Sequence, residues 1–158
     1  QPKSIIDKLK RRNIEINLKN IETELHDVAG IRVICSFPDD IYKLAEKICS
    51  QDDVTLIEKK DYISSPKPND YRSLHLILEI PVFFANETKR IKVEVQLRTI
   101  AMDFWASIEH KVRYKKENIV PQYILDDLRQ CADRIYEMDL HMQKISHQIE
   151  QYNLDKKI

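Results

Sequence analysis

The sequence predicts an α/β (α+β) fold in which helices flank a mixed β-sheet and a long C-terminal helix follows it. First, residues 28–37 form a β-branched, almost continuously apolar run, which is typical of a buried strand. Second, residues 91–98 alternate between apolar and polar side chains, the period of a strand with one buried face. Third, apolar residues after Pro121 recur in a four-three alternation, which predicts a long helix.

Composition limits the class of protein. The chain has 158 residues, enough for one domain with a real core, and its formal net charge is zero. Because the chain has no overall excess of positive charge, binding to RNA is not expected. The single glycine, Gly30, excludes a glycine-rich phosphate loop.

The cysteines and the hydropathy indicate the cellular location. The chain has an odd number of cysteines, and they lie far apart in the sequence, at Cys35, Cys49 and Cys131. This spacing predicts neither a disulfide framework nor a zinc site. A reducing cytoplasm is therefore expected. No apolar run is long enough to span a membrane, so no membrane partner is expected. The chain begins at Gln1 without a methionine, and we therefore expect a fragment.

The N-terminal segment carries basic residues ahead of the first strand. Ser4 and Asp7 have the spacing of a capping box, and a helix is predicted over residues 4–13. This helix is either a solvated basic face or a clamp on polyphosphate. Its exposed side carries Lys8, Arg11 and Arg12. A short helical turn is predicted over residues 20–25.

The apolar run at 28–37 predicts a central strand that is covered on both faces. Asp27, just before it, is either a cap or turn residue or a hard oxygen ligand for Mg²⁺. Arg32 interrupts the run, and a buried arginine needs a partner. A helix over residues 38–50 and a strand over residues 54–59 follow, and this order implies a right-handed crossover.

Residues 61–75 are rich in proline, asparagine and aspartate, which predicts a loop. Tyr62 and Tyr71 lie among lysines and arginines in this stretch. A tyrosine ring can stack on a flat base while cations hold phosphates, but a structural loop with scattered lysines has the same composition. A strand over residues 74–82 and the strand at 91–98 then form an antiparallel pair.

One face of the strand at 91–98 is unusual because all of its side chains are charged or amide groups. They are Lys92, Glu94, Gln96 and Arg98. The face is either solvated or a ligand site beside the N-terminus of the next helix, where Thr99 has the N-cap position. The apolar side of that helix carries Ala101, Phe104, Ile108 and Val112. Its polar side carries Asp103, Ser107, His110 and Tyr114.

Pro121 opens the C-terminal helix, whose apolar residues form a heptad seam that lasts four repeats. The seam either packs on its own domain or meets another subunit, and the length of the helix favours a second subunit. The seam residues are Ile124, Leu128, Cys131, Ile135, Met138, Met142, Ile145, Ile149 and Tyr152.

Three ordered motifs resemble one family. They are DVAGIRV at 27–33, DYISSPKPNDYRSLH at 61–75 and VEVQLRTIAMDFWASIEHKVRYK at 93–115. Together they closely resemble the synthetase domain of RelA/SpoT-type alarmone enzymes, and the single-domain small alarmone synthetases are the nearest match. The resemblance extends from Ser4 into the C-terminal helix.

The resemblance implies a nucleotidyltransferase-like fold and a Mg²⁺-dependent GTP pyrophosphokinase. Such an enzyme transfers the β,γ-pyrophosphate of ATP to the ribose 3′-hydroxyl of GTP or GDP, and makes pppGpp or ppGpp and AMP in the stringent response. Small members of the family are commonly tetramers, so a homotetramer is expected. On this basis residues 1–120 form the synthetase domain, truncated at its N-terminus, and residues 121–158 form a long helix for packing or oligomerisation.

The resemblance also implies roles for individual residues. Asp27 and Glu94 would hold Mg²⁺, and Glu94 would also activate the 3′-hydroxyl. Tyr71 would stack on guanine. The GTP side would be lined by Lys67, His75, Gln96 and Arg98. ATP would be bound by Lys8, Arg11 and Arg32.

Two departures from the family pattern leave an alternative open. Asp70 stands where the family usually has a glycine, and aspartate tolerates a positive φ only at some cost. The family's ATP-binding loop precedes the segment that matches Ser4, so we expect this sequence to lack it. The alternative is therefore a catalytically weakened guanine-nucleotide-binding regulatory module.

Overall fold

The computed structural model describes residues 29–114 and 120–156, which form four strands and three helices. The elements predicted within these ranges are confirmed, with ends shifted by at most a few residues. The helix predicted over residues 4–13 and the turn predicted over residues 20–25 lie outside the described residues. None of the three described helices combines the length and the apolar character needed to cross a membrane. In chain order the elements are β1 (Ala29–Cys35), α1 (Pro38–Cys49), β2 (Thr55–Asp61), β3 (Leu74–Phe83), β4 (Thr88–Thr99), α2 (Ile100–Tyr114) and α3 (Gln122–Asp155).

The four strands form one mixed sheet in the order β1-β4-β3-β2. β1 is parallel to β4, whereas β3 is antiparallel to both β4 and β2. The predicted mixed sheet and the predicted antiparallel pair are therefore confirmed. β1 and β2 run in the same direction but lie at opposite edges, so two other strands separate them.

β1 is not the central, doubly covered strand that its apolar run predicts. In the described sheet it lies at an edge, where Ile31 and Ile34 are 57% and 44% exposed. The centre is occupied by β3 and β4. An apolar run indicates a strand, but the place of that strand in the sheet depends on which distant strands pair with it.

The hydrophobic core lies on one face of the sheet. The two central strands contribute Leu74, Leu76 and Leu78 of β3 and Val93, Val95 and Leu97 of β4. Ile41 and Ala45 of α1 pack against this layer, as does Met102 of α2. Because successive side chains of a strand alternate between faces, Glu94 and Gln96 belong to the opposite face.

Thr99 joins β4 to α2 and is the N-cap residue that the sequence predicts. Its Oγ1 accepts a hydrogen bond from the Met102 N–H at 3.1 Å. The Thr99 hydroxyl also donates to the buried Asp139 carboxylate of α3. Burial raises the pKa of Asp139 above its ordinary value, and the hydrogen bond from Thr99 opposes this effect without cancelling it. The start of α2 is thus anchored to α3.

α2 buries a different side from the apolar side that its sequence predicts. Phe104 and Ile108 are 60% and 40% exposed, whereas Trp105 is buried. Trp105 packs against Ala132 of α3, and its Nε1–H donates to the Leu128 carbonyl at 3.0 Å. Neighbouring positions on a helix point about 100° apart, so a helix with apolar residues at both 104 and 105 can bury either side. The contact with α3 decides between them.

α3 begins directly after Pro121, and its predicted seam divides into two parts. Towards the N-terminus, Leu128 and Ile135 are half-buried, and Ala132 between them is buried. This part of the helix packs on its own domain, but through Ala132 and not through the predicted seam residue Cys131, which is exposed. Towards the C-terminus, the described residues leave the seam uncovered, and the exposed fractions are Met138 68%, Met142 52%, Ile145 38%, Ile149 56% and Tyr152 58%.

Candidate functional site

The polar face of the sheet gathers side chains from three strands. Gln96 of β4 lies opposite Arg32 of β1 and His75 of β3. Because residues paired across a sheet point to the same face, that face carries Arg32, His75, Glu94, Gln96 and Arg98. Arg98 and His75 are only 5% and 7% exposed, so this is not simply a solvated face.

The Glu94 carboxylate is held by His75. Glu94 Oε1 lies 2.9 Å from His75 Nδ1, and His75 Nε2 lies 3.0 Å from the Tyr71 hydroxyl oxygen. Arg98 Nη2 donates to that hydroxyl at 2.5 Å. Burial is the largest influence on His75 and lowers its pKa, while the Glu94 carboxylate opposes this effect without cancelling it. Burial thus favours the neutral imidazole, in which one ring nitrogen donates and the other accepts.

Asp103, in the first turn of α2, pairs with both arginines of the polar face. Its Oδ1 lies 2.9 Å from Arg98 Nη1 and 3.4 Å from Arg32 Nη1. The Arg98 side chain is buried, whereas that of Arg32 is 51% exposed. Arg32 therefore has the partner that its place in an apolar run predicts, although it is not buried there.

Two adjacent cavities open on the polar face. The larger has a volume of about 450 Å³, and its lining includes Tyr71, Arg98, Lys111 and Arg32. The smaller, of about 200 Å³, is lined by Glu94 among others and again by Arg32. The larger volume suits a ligand the size of a nucleotide, and cationic side chains in its lining suit an anionic ligand.

Lys67 lies against the two tyrosines of the loop between β2 and β3. Its Nζ is 4.5 Å from the centroid of the Tyr62 ring and 4.8 Å from that of Tyr71. These are the distances of cation–π contacts. Tyr71 also lines the larger cavity, so this part of the loop borders that cavity.

Helix α3 holds this loop from the outside. Arg129 Nη2 donates to the Pro68 carbonyl at 3.0 Å. Arg72 Nη2 donates to Asp133 Oδ1 at 3.1 Å, and the Arg72 guanidinium lies 4.5 Å from the centroid of the Tyr136 ring. The Arg72 side chain is only 13% exposed, so its contacts are largely shielded from water. Three α3 side chains therefore contact the loop that carries Tyr71.

Asp70 has the backbone conformation that favours glycine. Its φ is 60°, the only positive φ at a non-glycine residue in the described part of the chain. Its N–H donates to the Lys67 carbonyl at 2.7 Å and closes a turn. Its carboxylate Oδ2 lies 3.9 Å from Arg129 Nε, near the limit of an ion pair.

Comparison with known proteins assigns the chain to a family. The family model described as "Region found in RelA / SpoT proteins" matches residues 1–119. This chain belongs to the RelA/SpoT family. The resemblance drawn from the three sequence motifs is confirmed.

Two curated members of the RelA/SpoT family are similar to this chain over most of its length. GTP pyrophosphokinase YwaC of Bacillus subtilis (strain 168) is 46% identical over 147 residues, which cover 93% of this chain and 70% of that protein. GTP pyrophosphokinase YjbM of the same strain is 34% identical over 148 residues, which cover 94% of this chain and 69% of that protein.

Solved structures of the RelA/SpoT family have the same fold. The small alarmone synthetase 2 from Bacillus subtilis matches with a TM-score of 0.83 and 44% identity over 92% of this chain and 76% of that chain. The small alarmone synthetase 1 from Bacillus subtilis, bound to its product pppGpp, matches with a TM-score of 0.82 and 35% identity over 95% and 75% of the two chains. The fold class that the resemblance implies is confirmed.

The RelA/SpoT site residues implied by the motifs divide into two groups. Asp27, Lys8 and Arg11 lie outside the described residues, and their roles stay predictions. The remaining residues contact one another or line the two cavities. They are Arg32, Lys67, Tyr71, His75, Glu94, Gln96 and Arg98.

The sequence motifs alone did not identify every residue that shapes this candidate site. Asp103 falls in the polar stripe that the spacing of α2 predicts, and that stripe is the signal that points to it. Asp133 has no comparable signal, since its partner Arg72 is 61 positions away.

Proposed function

We propose that this chain is a GTP pyrophosphokinase, a transferase that makes the alarmones pppGpp and ppGpp. It transfers the β,γ-pyrophosphate of ATP to the ribose 3′-hydroxyl of GTP or GDP and releases AMP. The observation that carries this proposal is the Glu94 carboxylate, which lies 2.9 Å from His75 and lines a cavity together with Arg32. The two Bacillus subtilis relatives named above as GTP pyrophosphokinases support it.

The larger cavity is the proposed guanine-nucleotide side. The Tyr71 ring offers its face to guanine, as aromatic side chains do for flat bases. Cations and polar groups line this side, and those with free donors contact the ribose and phosphates. These residues are Lys67, His75, Gln96 and Arg98.

The ATP side is proposed to lie around Arg32. This arginine borders both cavities, so its guanidinium can contact phosphates of the donor nucleotide while the acceptor occupies the larger cavity. Lys8 and Arg11 are proposed to add positive charge. Three cations would offset much of the charge of a triphosphate.

Glu94 is the proposed general base. It takes the proton of the 3′-hydroxyl while the 3′-oxygen forms a bond to the β-phosphorus of ATP. The bond from that phosphorus to the oxygen of the α-phosphate breaks, and AMP leaves with the electron pair and the negative charge. Such transfers depend mainly on positioning of the reactants and neutralisation of developing charge.

A Mg²⁺ ion is part of the proposal, and the donor chemistry fits it. Glu94 Oε1 accepts from His75, and no hydrogen bond to Oε2 is found within the described residues. Those residues contain no cluster of three or more side chains suited to a metal, but Mg²⁺ commonly takes only one or two carboxylates together with substrate phosphates. Asp27 and Glu94 would hold the ion, which would neutralise phosphate charge and lower the pKa of the attacking hydroxyl.

The assembly is proposed to be a homotetramer in the cytoplasm. In this proposal, residues 1–120 form the synthetase domain, and residues 121–158 form the helix that serves packing and assembly. The exposed second part of the α3 seam, from Met138 to Tyr152, supports a contact with another subunit. The spacing of the three cysteines supports the reducing compartment.

A catalytically weakened guanine-nucleotide-binding module is the second candidate. Asp70 motivates it, because a residue with φ of 60° beside the stacking tyrosine adds backbone strain and a negative charge to a site for polyphosphate. In that case GTP would bind without being converted.

The deciding experiment is to incubate the protein with ATP, GTP and Mg²⁺ and to separate the nucleotides by anion-exchange chromatography. We expect pppGpp and AMP in equal amounts. Glu94→Gln is the matched control, because it is nearly isosteric but cannot take the proton, and should keep GTP binding while losing most turnover. Tight GTP binding by the unaltered chain without product would support the second candidate, and full turnover by Glu94→Gln would remove Glu94 from the mechanism.

A further inference from the structure

We propose that the Tyr71 hydroxyl is a positioning group for Glu94, through a one-way chain of hydrogen bonds that runs from Arg98 to Tyr71, to His75 and to Glu94. The inference rests on the proposed function and assigns Tyr71 a second role. Its ring receives the guanine base, and its hydroxyl orients the carboxylate that activates the 3′-hydroxyl.

The direction of the chain follows from what each group can donate. A guanidinium has no acceptor, so Arg98 Nη2 must donate to the Tyr71 oxygen at 2.5 Å. An ionised carboxylate only accepts, so His75 Nδ1 must carry the proton shared with Glu94 Oε1 at 2.9 Å. The Tyr71 hydroxyl proton is then left for His75 Nε2 at 3.0 Å, which accepts it. Each link has one donor and one acceptor, without conflict.

Burial makes this chain effective. The side chains of Arg98, His75 and Glu94 are 6%, 9% and 19% exposed. Water therefore has little access to replace a lost link, and hydrogen bonds in such surroundings are stronger than in solvent. Removal of the Tyr71 hydroxyl would leave His75 Nε2 without its donor, so that only the Glu94 hydrogen bond and the contacts with the two aromatic rings would still orient the imidazole.

Loss of the Tyr71 hydroxyl would affect the orientation of Glu94 and not the binding of the nucleotide. With the imidazole oriented less firmly, the partner of Glu94 Oε1 is less well fixed, and the carboxylate is held less tightly in its orientation. A group that orients a reacting residue in this way affects turnover more than affinity, because small displacements of reacting atoms are costly in rate. The guanine base still meets an intact aromatic ring.

The kinetic test compares Tyr71→Phe with Tyr62→Phe. Both changes remove one hydroxyl and keep the ring, but no hydrogen bond to the Tyr62 hydroxyl is found in residues 29–114 and 120–156. Tyr71→Phe should lower kcat by about tenfold to a hundredfold, the usual effect of removing an outer hydrogen-bond partner, and change the KM for GTP by less than about threefold. Tyr62→Phe should keep kcat within about twofold of the parent. In a Glu94→Gln background the effect of Tyr71→Phe should vanish, because there is no carboxylate left to orient.

A spectroscopic test does not depend on turnover. In ¹⁵N NMR of histidine-labelled protein, with the His75 signals assigned by their loss in His75→Gln, the proton should be on Nδ1. The Nε2 resonance should shift in Tyr71→Phe and stay unchanged in Tyr62→Phe.

Different results would contradict the hydrogen-bond chain and the proposed function. A proton on His75 Nε2, an unchanged kcat in Tyr71→Phe, or an equal loss in the Glu94→Gln background would each overturn the chain. An unaltered protein that binds GTP and makes no pppGpp would instead contradict the proposed function, while the NMR test would still decide whether the chain exists.

Discussion

At position 70, backbone conformation and charge both favour glycine over aspartate. Its φ of 60° costs an L-residue roughly 1 kcal/mol that glycine avoids. The opposing contact is the pair with Arg129 at 3.9 Å, and the Arg129 side chain is 44% exposed. An exposed ion pair contributes about 0 to 1 kcal/mol. The strain and the negative charge beside an anionic ligand therefore outweigh the pair.

Asp70→Gly is expected to bind GTP about two- to fivefold more tightly, which corresponds to roughly 1 kcal/mol or less. Titration calorimetry with GTP measures this directly. Asp70→Asn is the matched control, since it removes the charge and keeps a residue that tolerates a positive φ. Weaker binding by Asp70→Gly would mean that the Arg129 contact orders the loop, and that aspartate is not a defect here.

At the scale of single elements, α3 supports the loop between β2 and β3, which carries Tyr71. Arg72 is nearly buried between Asp133 and the Tyr136 ring, so loss of the Asp133 carboxylate leaves a poorly hydrated guanidinium. The loop would then lose part of the contact that sets the position of Tyr71.

Asp133→Asn is expected to raise the KM for GTP about three- to tenfold, since a partly shielded charge pair is worth about 1 kcal/mol. The KM for ATP should stay within about twofold of the parent. Glu137→Gln makes the same chemical change one turn further along α3, at an exposed side chain, and should have no effect. Equal changes in both KM values would indicate general damage to the fold instead of a displaced loop.

The junction of β4, α2 and α3 predicts a pH dependence of stability. Because burial raises the pKa of Asp139 in the folded protein, the folded state binds more protons than the unfolded state above the ordinary carboxyl pKa of about 4. The contribution of Asp139 to stability is therefore complete below that pH and is lost as pH rises through its folded pKa.

Asp139→Asn should remove this contribution to the pH dependence while keeping an oxygen acceptor for the Thr99 hydroxyl. We expect its Tm to be at or above that of the parent at pH 7, and the difference to shrink or reverse near pH 4. Thermal unfolding followed by circular dichroism at a series of pH values measures this. A variant that is less stable than the parent at pH 7 alone would show that the charged carboxylate stabilises the junction.

At the scale of the whole molecule, α3 packs on its own domain through Ala132 and Asp139 but leaves the second part of its apolar seam exposed. The packed face contacts the loop between β2 and β3, and the exposed part of the seam presents a row of apolar side chains that starts at Met138. Large exposed apolar rows usually mark a contact with another molecule. A second copy of this chain is the proposed partner.

Met142→Glu is therefore expected to convert the assembly into smaller species, because a charge in an apolar interface remains unpaired. Light scattering coupled to size-exclusion chromatography measures the mass. Gln148→Glu introduces the same residue at an exposed position off the seam and should leave the mass unchanged. A monomeric parent at micromolar concentration, or an unchanged mass in Met142→Glu, would contradict the proposed interface.

Local patterns in the sequence were sufficient for the elements and for much of the site. Alternation along β4 assigned Glu94, Gln96 and Arg98 to one face, since neighbouring strand residues always point in opposite directions. Thr99 could be recognised as a cap because capping involves only three or four consecutive residues. Both outcomes depend on interactions within a few residues, and the sequence contains all the information that they need.

Only the tertiary structure decided the long-range arrangement. The edge position of β1 in the described sheet and the burial of Trp105 instead of Phe104 depend on partners far along the chain. The hydroxyl of Tyr71 is the sharpest case. Seen in the sequence, Tyr71→Phe is a mild change because the ring remains, but in the structure that hydroxyl lies between Arg98 and His75. Hydrogen bonds depend on tenths of an ångström and on which group can donate, and no spacing of residues in a sequence contains those distances.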